Sequence, residues 1–381
     1  MKYIFPVGML VTFLIFIILF FFYVHINAHY KKNEDLEIYE TDYTTNVDLQ
    51  DVCNLKQPTL FDFRPCCPEL FENANYSLDK LCQKYDKYLV KVKDSNDYFS
   101  VPVNEIVDSV PLSLGNYRVL ALTDSKSRYY TDGNEFFVQD SGLHIGIVDD
   151  FLKPVFSVQT VYDMITGSPG TCMPMQYHNH FRRFLIVTSG RIHVKMTPWK
   201  SNKYLHPVTD YENYEFRTAM NVWSRENNND KIRADFDRIK FTDFDVHAGY
   251  ALYIPPYWWY SLQFAENVES VILSATYDST ISIIANSGDL GRHFLQLQRN
   301  KDIITRTLVA EPKPIVSVSE EEQQQMQQQQ QQTQQTNPLQ EIYPSGEPHT
   351  ATALELAEQL QSQPVIPIRE QHEQVMQHIL G

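Results

Sequence analysis

The chain has 381 residues, a formal net charge of −15 and 13% aromatic residues, among them 23 Tyr and 22 Phe. Phosphate recognition needs clustered Lys and Arg, so this charge balance argues against a nucleic-acid partner. The aromatic content suits a β-rich body.

The first element is apolar. Ile4 to Val24 holds no charged residue and is long enough to cross a hydrocarbon core as a helix. Residues 1–28 are therefore expected to be a transmembrane anchor, with a cleaved signal peptide as the alternative. The run exceeds an ordinary signal h-region, and Ile26-Asn27-Ala28 is a poor cleavage site. Lys2 on one side and Lys31 and Lys32 on the other barely discriminate orientation. A lumenal or extracytosolic body is the side favoured. Residues 29–50 are polar and acidic, and read as a stalk.

A body is expected over residues 51–310. Cys53, Cys66, Cys67 and Cys82 cluster at its start, an even number that suits two disulfides in an oxidising lumen. Reduced thiols in a cytosolic domain are the alternative, and the spacings match no zinc pattern. Asn75-Tyr76-Ser77 is a glycosylation acceptor motif. A helix is predicted around Leu78 to Tyr88. Short β-type runs follow at Tyr117 to Leu122, Phe136 to Val138 and Phe156 to Tyr162, with Asp132-Gly133-Asn134 and Ser168-Pro169-Gly170 as turns. Phe184 to Val187 and Ile192 to Met196 read as a strand pair around Ser189-Gly190. Phe244 to Ile254 and Ser270 to Tyr277 supply the last strands, and Ile281 to Leu297 has helical character. Many short, evenly spaced strands predict a mainly β sandwich or barrel with flanking helices. Beyond it, residues 311–381 form a Gln-rich tail that buries too little apolar surface to order itself. Within it, Ala351 to Gln363 is a candidate helix formed on binding a protein partner.

Two segments carry a family likeness: GTCMPMQYHNHFRRFLIVTSGRIHVKMTPW, from Gly170 to Trp199, and HAGYALYIPPYWWYSLQF, from His247 to Phe264. Their order and turn residues resemble the cupin superfamily, and within it the JmjC-like, cupin-8-like hydroxylases, over a core of about 136–286. That resemblance implies a double-stranded β-helix, Fe(II) held by two His and one carboxylate, and 2-oxoglutarate anchored by a basic residue.

The chemical positions depart from the pattern. Counted forward from Pro174, the His-x-acid slots fall on Gln176 and His178; counted back from Gly190, they fall near Tyr177 and Asn179. The third histidine position is Tyr260, and the lysine position two residues after Gly190 is Ile192. Losing ligands and co-substrate anchor together implies a retired active site, with no cofactor, serving as a binding or scaffolding module. Another cupin register keeps His178 and His180, which with Tyr260 make a variant metal site; an oxygenase using Fe(II) and 2-oxoglutarate is the alternative. A third reading is a metal-free carbohydrate- or peptide-binding barrel, for which Arg183, Tyr257 and Trp259 are the pocket candidates.

Overall fold

The computed structural model describes residues 7–100, 107–224 and 230–309. The Gln-rich tail, 351–363 included, lies outside the described residues.

Helix Val7–Tyr30 is long and apolar enough to cross a membrane, and its apolar length is not buried against the rest of the chain. It continues past Val24 because its last turn is held by the body. Lys56 Nζ donates to the carbonyls of Ala28, at 2.7 Å, and of His29, while the Tyr30 hydroxyl donates to the Ala285 carbonyl. His29 is only 5% exposed. The segment read as a stalk, 29–50, also packs on the body rather than standing free. Its residues Tyr39–Glu40 form β1. Helix Asn46–Asn54, capped by the Thr45 side chain, buries Leu49 and Cys53. Polar composition hid this, because one buried side chain per turn is enough to dock a short helix.

The remaining strands are β2 (Thr59–Asp62), β3 (Leu89–Asp94), β4 (Val110–Ser113), β5 (Tyr129–Thr131), β6 (Ser157–Gly167), β7 (Gln176–Tyr177), β8 (Arg182–Ser189), β9 (Arg191–Thr197), β10 (Pro207–Asp210), β11 (Glu215–Thr218), β12 (Thr242–His247), β13 (Tyr250–Ile254), β14 (Trp259–Phe264) and β15 (Val271–Ser279). The body is mostly β, in two sheets with flanking helices. The first runs β1-β2-β13-β8-β15-β6-β5-β3-β4, and the second β10-β11-β7-β14-β9-β12. From β6 to β9, and again from β12 to β15, consecutive strands alternate between the two sheets.

This corrects one expectation. The runs around Gly190 are strands, but β8 and β9 do not pair: β8 lies between β13 and β15, whereas β9 lies between β12 and β14. Gly190 carries the chain across at φ +74°, where a Cβ would fall 2.4 Å from Ser270 Oγ and 2.7 Å from the Glu269 carbonyl. The second crossing, at Ala248-Gly249, is tied to the first: Ala248 N donates to the Gly190 carbonyl at 3.0 Å and Gly249 N to the Val187 carbonyl at 2.8 Å. Two other expected strands are helices. Tyr117 to Leu122 lies in helix Leu114–Thr123, started by the Ser113 side chain, and Phe136 to Val138 lies in helix Glu135–Ser141, ended by Gly142 in the left-handed conformation. Short apolar runs have no periodicity long enough to tell the two apart.

Strand alternation builds two cores. Leu185 and Val187 of β8, Leu252 and Ile254 of β13, and Ile272 of β15 meet Val194 of β9 and Leu262 and Phe264 of β14 between the sheets. Their neighbours Phe184, Ile186, Ala251, Tyr253 and Leu273 face the opposite way, onto helices Leu78–Tyr85 and Leu114–Thr123. Each such side chain contributes about 1.5–3 kcal/mol of burial.

Candidate functional site

The same alternation that fills the apolar core places polar side chains at one end of the space between the sheets. On β8, Arg183 shares the inward face with Leu185 and Val187. Arg182 points to the opposite face, where it is 1% exposed and donates to Gln50 Oε1 at 3.1 Å and Asn54 Oδ1 at 2.6 Å. The dibasic pair is therefore split, one guanidinium on each side of the sheet.

On the second sheet, Arg217, Gln176 and Tyr260 are successive ladder partners across β11, β7 and β14. Directly paired residues share a face, so all three point inward. Tyr260 is 1% exposed, with its ladder partner Gln176 beside it on the same face, and the Arg183 guanidinium lies 5.9 Å from its ring centre. Burial raises its phenol pKa above the ordinary value, with Arg183 opposing in part, so Tyr260 is a neutral hydroxyl at pH 7.

His178 is 4% exposed. Its Nε2 lies 3.0 Å from the Ile254 carbonyl, which only accepts, so Nε2 carries the proton and Nδ1 holds a lone pair. That Nδ1 is buried without a hydrogen-bond partner. Burial first, then the positive charge of Arg183 and His180, drives the His178 pKa well below its usual value. The His178 and His180 rings lie 5.9 Å apart and 27° from parallel. His180 turns elsewhere: its Nδ1 is 2.6 Å from Asp278 Oδ2. Asp278 Oδ1 also accepts from Phe181 N and Ser282 Oγ, both at 2.9 Å. Burial alone would raise the Asp278 pKa, but His180 and these donors outweigh it and hold it at about 2.

A second set of charges completes this end. Lys93 Nζ is 2.6 Å from Asp132 Oδ1 and 2.6 Å from Glu215 Oε1, all three mostly buried. Asp163 accepts from Gly133 N at 3.0 Å and Asn134 N at 2.8 Å. Burial, reinforced by Asp132, raises its pKa to about 6. Sequence reasoning missed Lys93, Asp132, Asp163, Glu215 and Arg217. The one local signal was Glu215-x-Arg217, two charges at strand spacing.

The pocket candidates do not share a pocket. Arg183 faces inward, whereas Trp259 packs on the outer face of the second sheet with Met175, Leu205 and Met220. Tyr257 joins Tyr177 and Trp199 there. The Lys32 ammonium covers this cluster, 3.6 Å from the Trp199 ring centre and 4.6 Å from that of Tyr257. The aromatic group is thus closed by the chain's own cation rather than open as a mouth.

His178, His180 and Tyr260 fit a metal poorly. His180 is committed to Asp278, Tyr260 is held as a neutral phenol, and the Arg183 guanidinium beside Tyr260 repels a cation. Among the described residues, no three His, Cys, Asp or Glu side chains are grouped to hold a metal. Cys53, Cys66, Cys67 and Cys82 are separate free thiols in the structure, not two disulfides, and the Cys82 thiol faces the Leu114 carbonyl at 3.7 Å. Asn75 is exposed at the end of a short turn before helix Leu78–Tyr85.

No family model matches this chain, and no curated protein matches its sequence.

Proposed function

We propose that this chain is a single-pass membrane protein whose body is a double-stranded β-helix of the cupin and JmjC-like kind, retired from iron and 2-oxoglutarate chemistry and used as a binding or scaffolding module. The strand orders support that fold. Within the sheets, β13-β8-β15-β6 and β7-β14-β9-β12 follow the order of an eight-stranded jelly roll. Helix Val7–Tyr30 supports the anchor.

The observation that carries the loss of chemistry is the contact between Tyr260 and Gln176. Counted forward from Pro174, the ligand slots are Gln176, His178 and Tyr260, and ladder pairing puts Gln176 directly beside Tyr260. Two of the three slots are thus an amide and a neutral phenol side by side on one face, neither of them an ordinary ligand for a divalent metal. The co-substrate's lysine slot, Ile192, is fully buried in the apolar core and offers no charge.

One observation favours the variant metal site. His178 has its Nε2 fixed on a backbone carbonyl and its Nδ1 free, the arrangement of many metal-bound histidines. Metal analysis of the full chain purified in detergent separates the two readings. The expected result is no stoichiometric iron, zinc or manganese and no turnover of 2-oxoglutarate. One equivalent of iron, lost in the His178→Ala, His180→Ala double variant, would overturn the retired-enzyme reading. A glycan on the exposed Asn75, removed by an endoglycosidase and absent in Asn75→Gln, reports a body on the lumenal side.

A further inference from the structure

Arg217 is 4% exposed, yet no acceptor among the described residues is hydrogen-bonded to its guanidinium. Its Nε is buried and unpartnered, and its close neighbour is the Tyr98 ring, 4.9 Å from the guanidinium carbon. A charge so far removed from water is ordinarily paired, because desolvation costs more than packing returns. Arg183, on the facing sheet and partly exposed, shares one feature of it: its Nε is buried without a hydrogen-bond partner among the described residues, and its charge acts on Asp163 only at a distance. The acids nearby balance this charge in sum, yet among the described residues none is hydrogen-bonded to either guanidinium, Asp132 included, whose Oδ1 has no hydrogen-bond partner. Glu215 and Asp132 hold Lys93, and Asp163 accepts two backbone N–H groups.

The two arginines address one place. Arg183 lies against the Tyr260 ring. Arg217 is two ladder partners from Tyr260, through Gln176, on the same face. Adjacent partners have Cβ atoms about 5 Å apart, so the Arg217 and Tyr260 Cβ atoms are separated by roughly 10 Å, within the reach of a long side chain. The unpartnered Nδ1 of His178 adds an acceptor beside two donors.

We infer that this end of the inter-sheet space binds a small oxyanion that also carries a hydroxyl, a hydrogen phosphate or a hydroxycarboxylate, received by the guanidinium groups of Arg217 and Arg183 with its O–H directed to His178 Nδ1. The inference rests on the metal-free binding reading and gives it a ligand class. The anchor helix ends beside this region, its His29 Nε2 3.2 Å from the Asn179 carbonyl, so the anion can come from solution or from a lipid headgroup.

The test is thermal unfolding of the full chain in detergent, dialysed into chloride, with inorganic phosphate or glycolate added at constant ionic strength. A saturable rise of about 5 °C at 100 times Kd is expected. It is lost in Arg217→Met and Arg183→Met and weakened in Arg217→Lys. Absence of any rise, or an unchanged rise in Arg217→Met, would overturn the inference. A rise with phosphate in solution identifies a soluble ligand; one seen only in nanodiscs containing phosphatidic acid identifies a headgroup. Metal content of the same preparations judges the metal-free reading separately.

Discussion

Replacing Asp278 by Asn removes one carboxylate from a site where its charge is held by several partners. Asp278 accepts from His180 Nδ1, Phe181 N and Ser282 Oγ, and its pKa falls from the usual 3.8 to about 2. A folded-state pKa below the unfolded one means stability that is present above about pH 4 and lost as pH falls through about 2. At 1.36 kcal/mol per pKa unit, that displacement corresponds to about 2.4 kcal/mol. Asp278→Asn keeps an oxygen for Phe181 and Ser282 but turns an amide towards His180. The variant is expected to be about 2–3 kcal/mol less stable than the parent at pH 7, with the gap closing between about pH 4 and pH 2. The assay is urea unfolding of the full chain in detergent, followed by tryptophan fluorescence at a series of pH values. Other carboxylates titrate in both proteins and cancel in the difference. A gap independent of pH, or no gap at pH 7, would refute the claim that His180 and the backbone stabilise this carboxylate in its charged form.

Gly190→Ala forces a Cβ onto Ser270 Oγ and the Glu269 carbonyl at a φ of +74°, and the urea midpoint is expected to fall by the equivalent of about 2–3 kcal/mol. Lys93→Met leaves Asp132 and Glu215 buried without the ammonium that pairs them, a loss of about 3–5 kcal/mol by the same unfolding assay, partly recovered when Glu215→Gln is added. Burial, opposed in part by Arg182, pushes the Cys53 thiol up to about 12, so iodoacetamide at pH 8 modifies it only after denaturation, read by mass spectrometry. Lys32→Ala uncovers the Trp199 ring and is expected to cost about 1 kcal/mol and to shift the tryptophan emission to longer wavelength.

Several features were legible before any coordinates. The charge-free run before Val24 is a helix because nothing in it demands water. Gly190 was legible as a turn residue, but its turn leads from one sheet to the other rather than between paired strands, with Ser270 and Glu269 where a Cβ would fall. Alternation along β8 puts Arg182 and Arg183 on opposite faces, since the strand repeat is a local property of the backbone. That Tyr260 stands where the resemblance implies a histidine was visible in one segment, Pro255-Pro256-Tyr257-Trp258-Trp259-Tyr260.

Tertiary structure decided what those features touch. Periodicity says that two residues share a face, not which face is inside, so Trp259 and Tyr257 read as a mouth while packing on the outer side of the second sheet. The runs at 117–122 and 136–138 became helices because the caps at Ser113 and Gly142 acted where apolar pattern was too short to decide. The polar end of the site joins residues distant in the chain, with Lys93 beside Glu215, His180 beside Asp278 and Gln176 beside both Tyr260 and Arg217. Sequence alone put Gln176, His178 and Tyr260 at the positions where the resemblance implies metal ligands. Only the pairing of strands set Gln176 between Tyr260 and Arg217 on the inward face, with Arg183 opposite, because register and sheet order are set by how the whole chain packs.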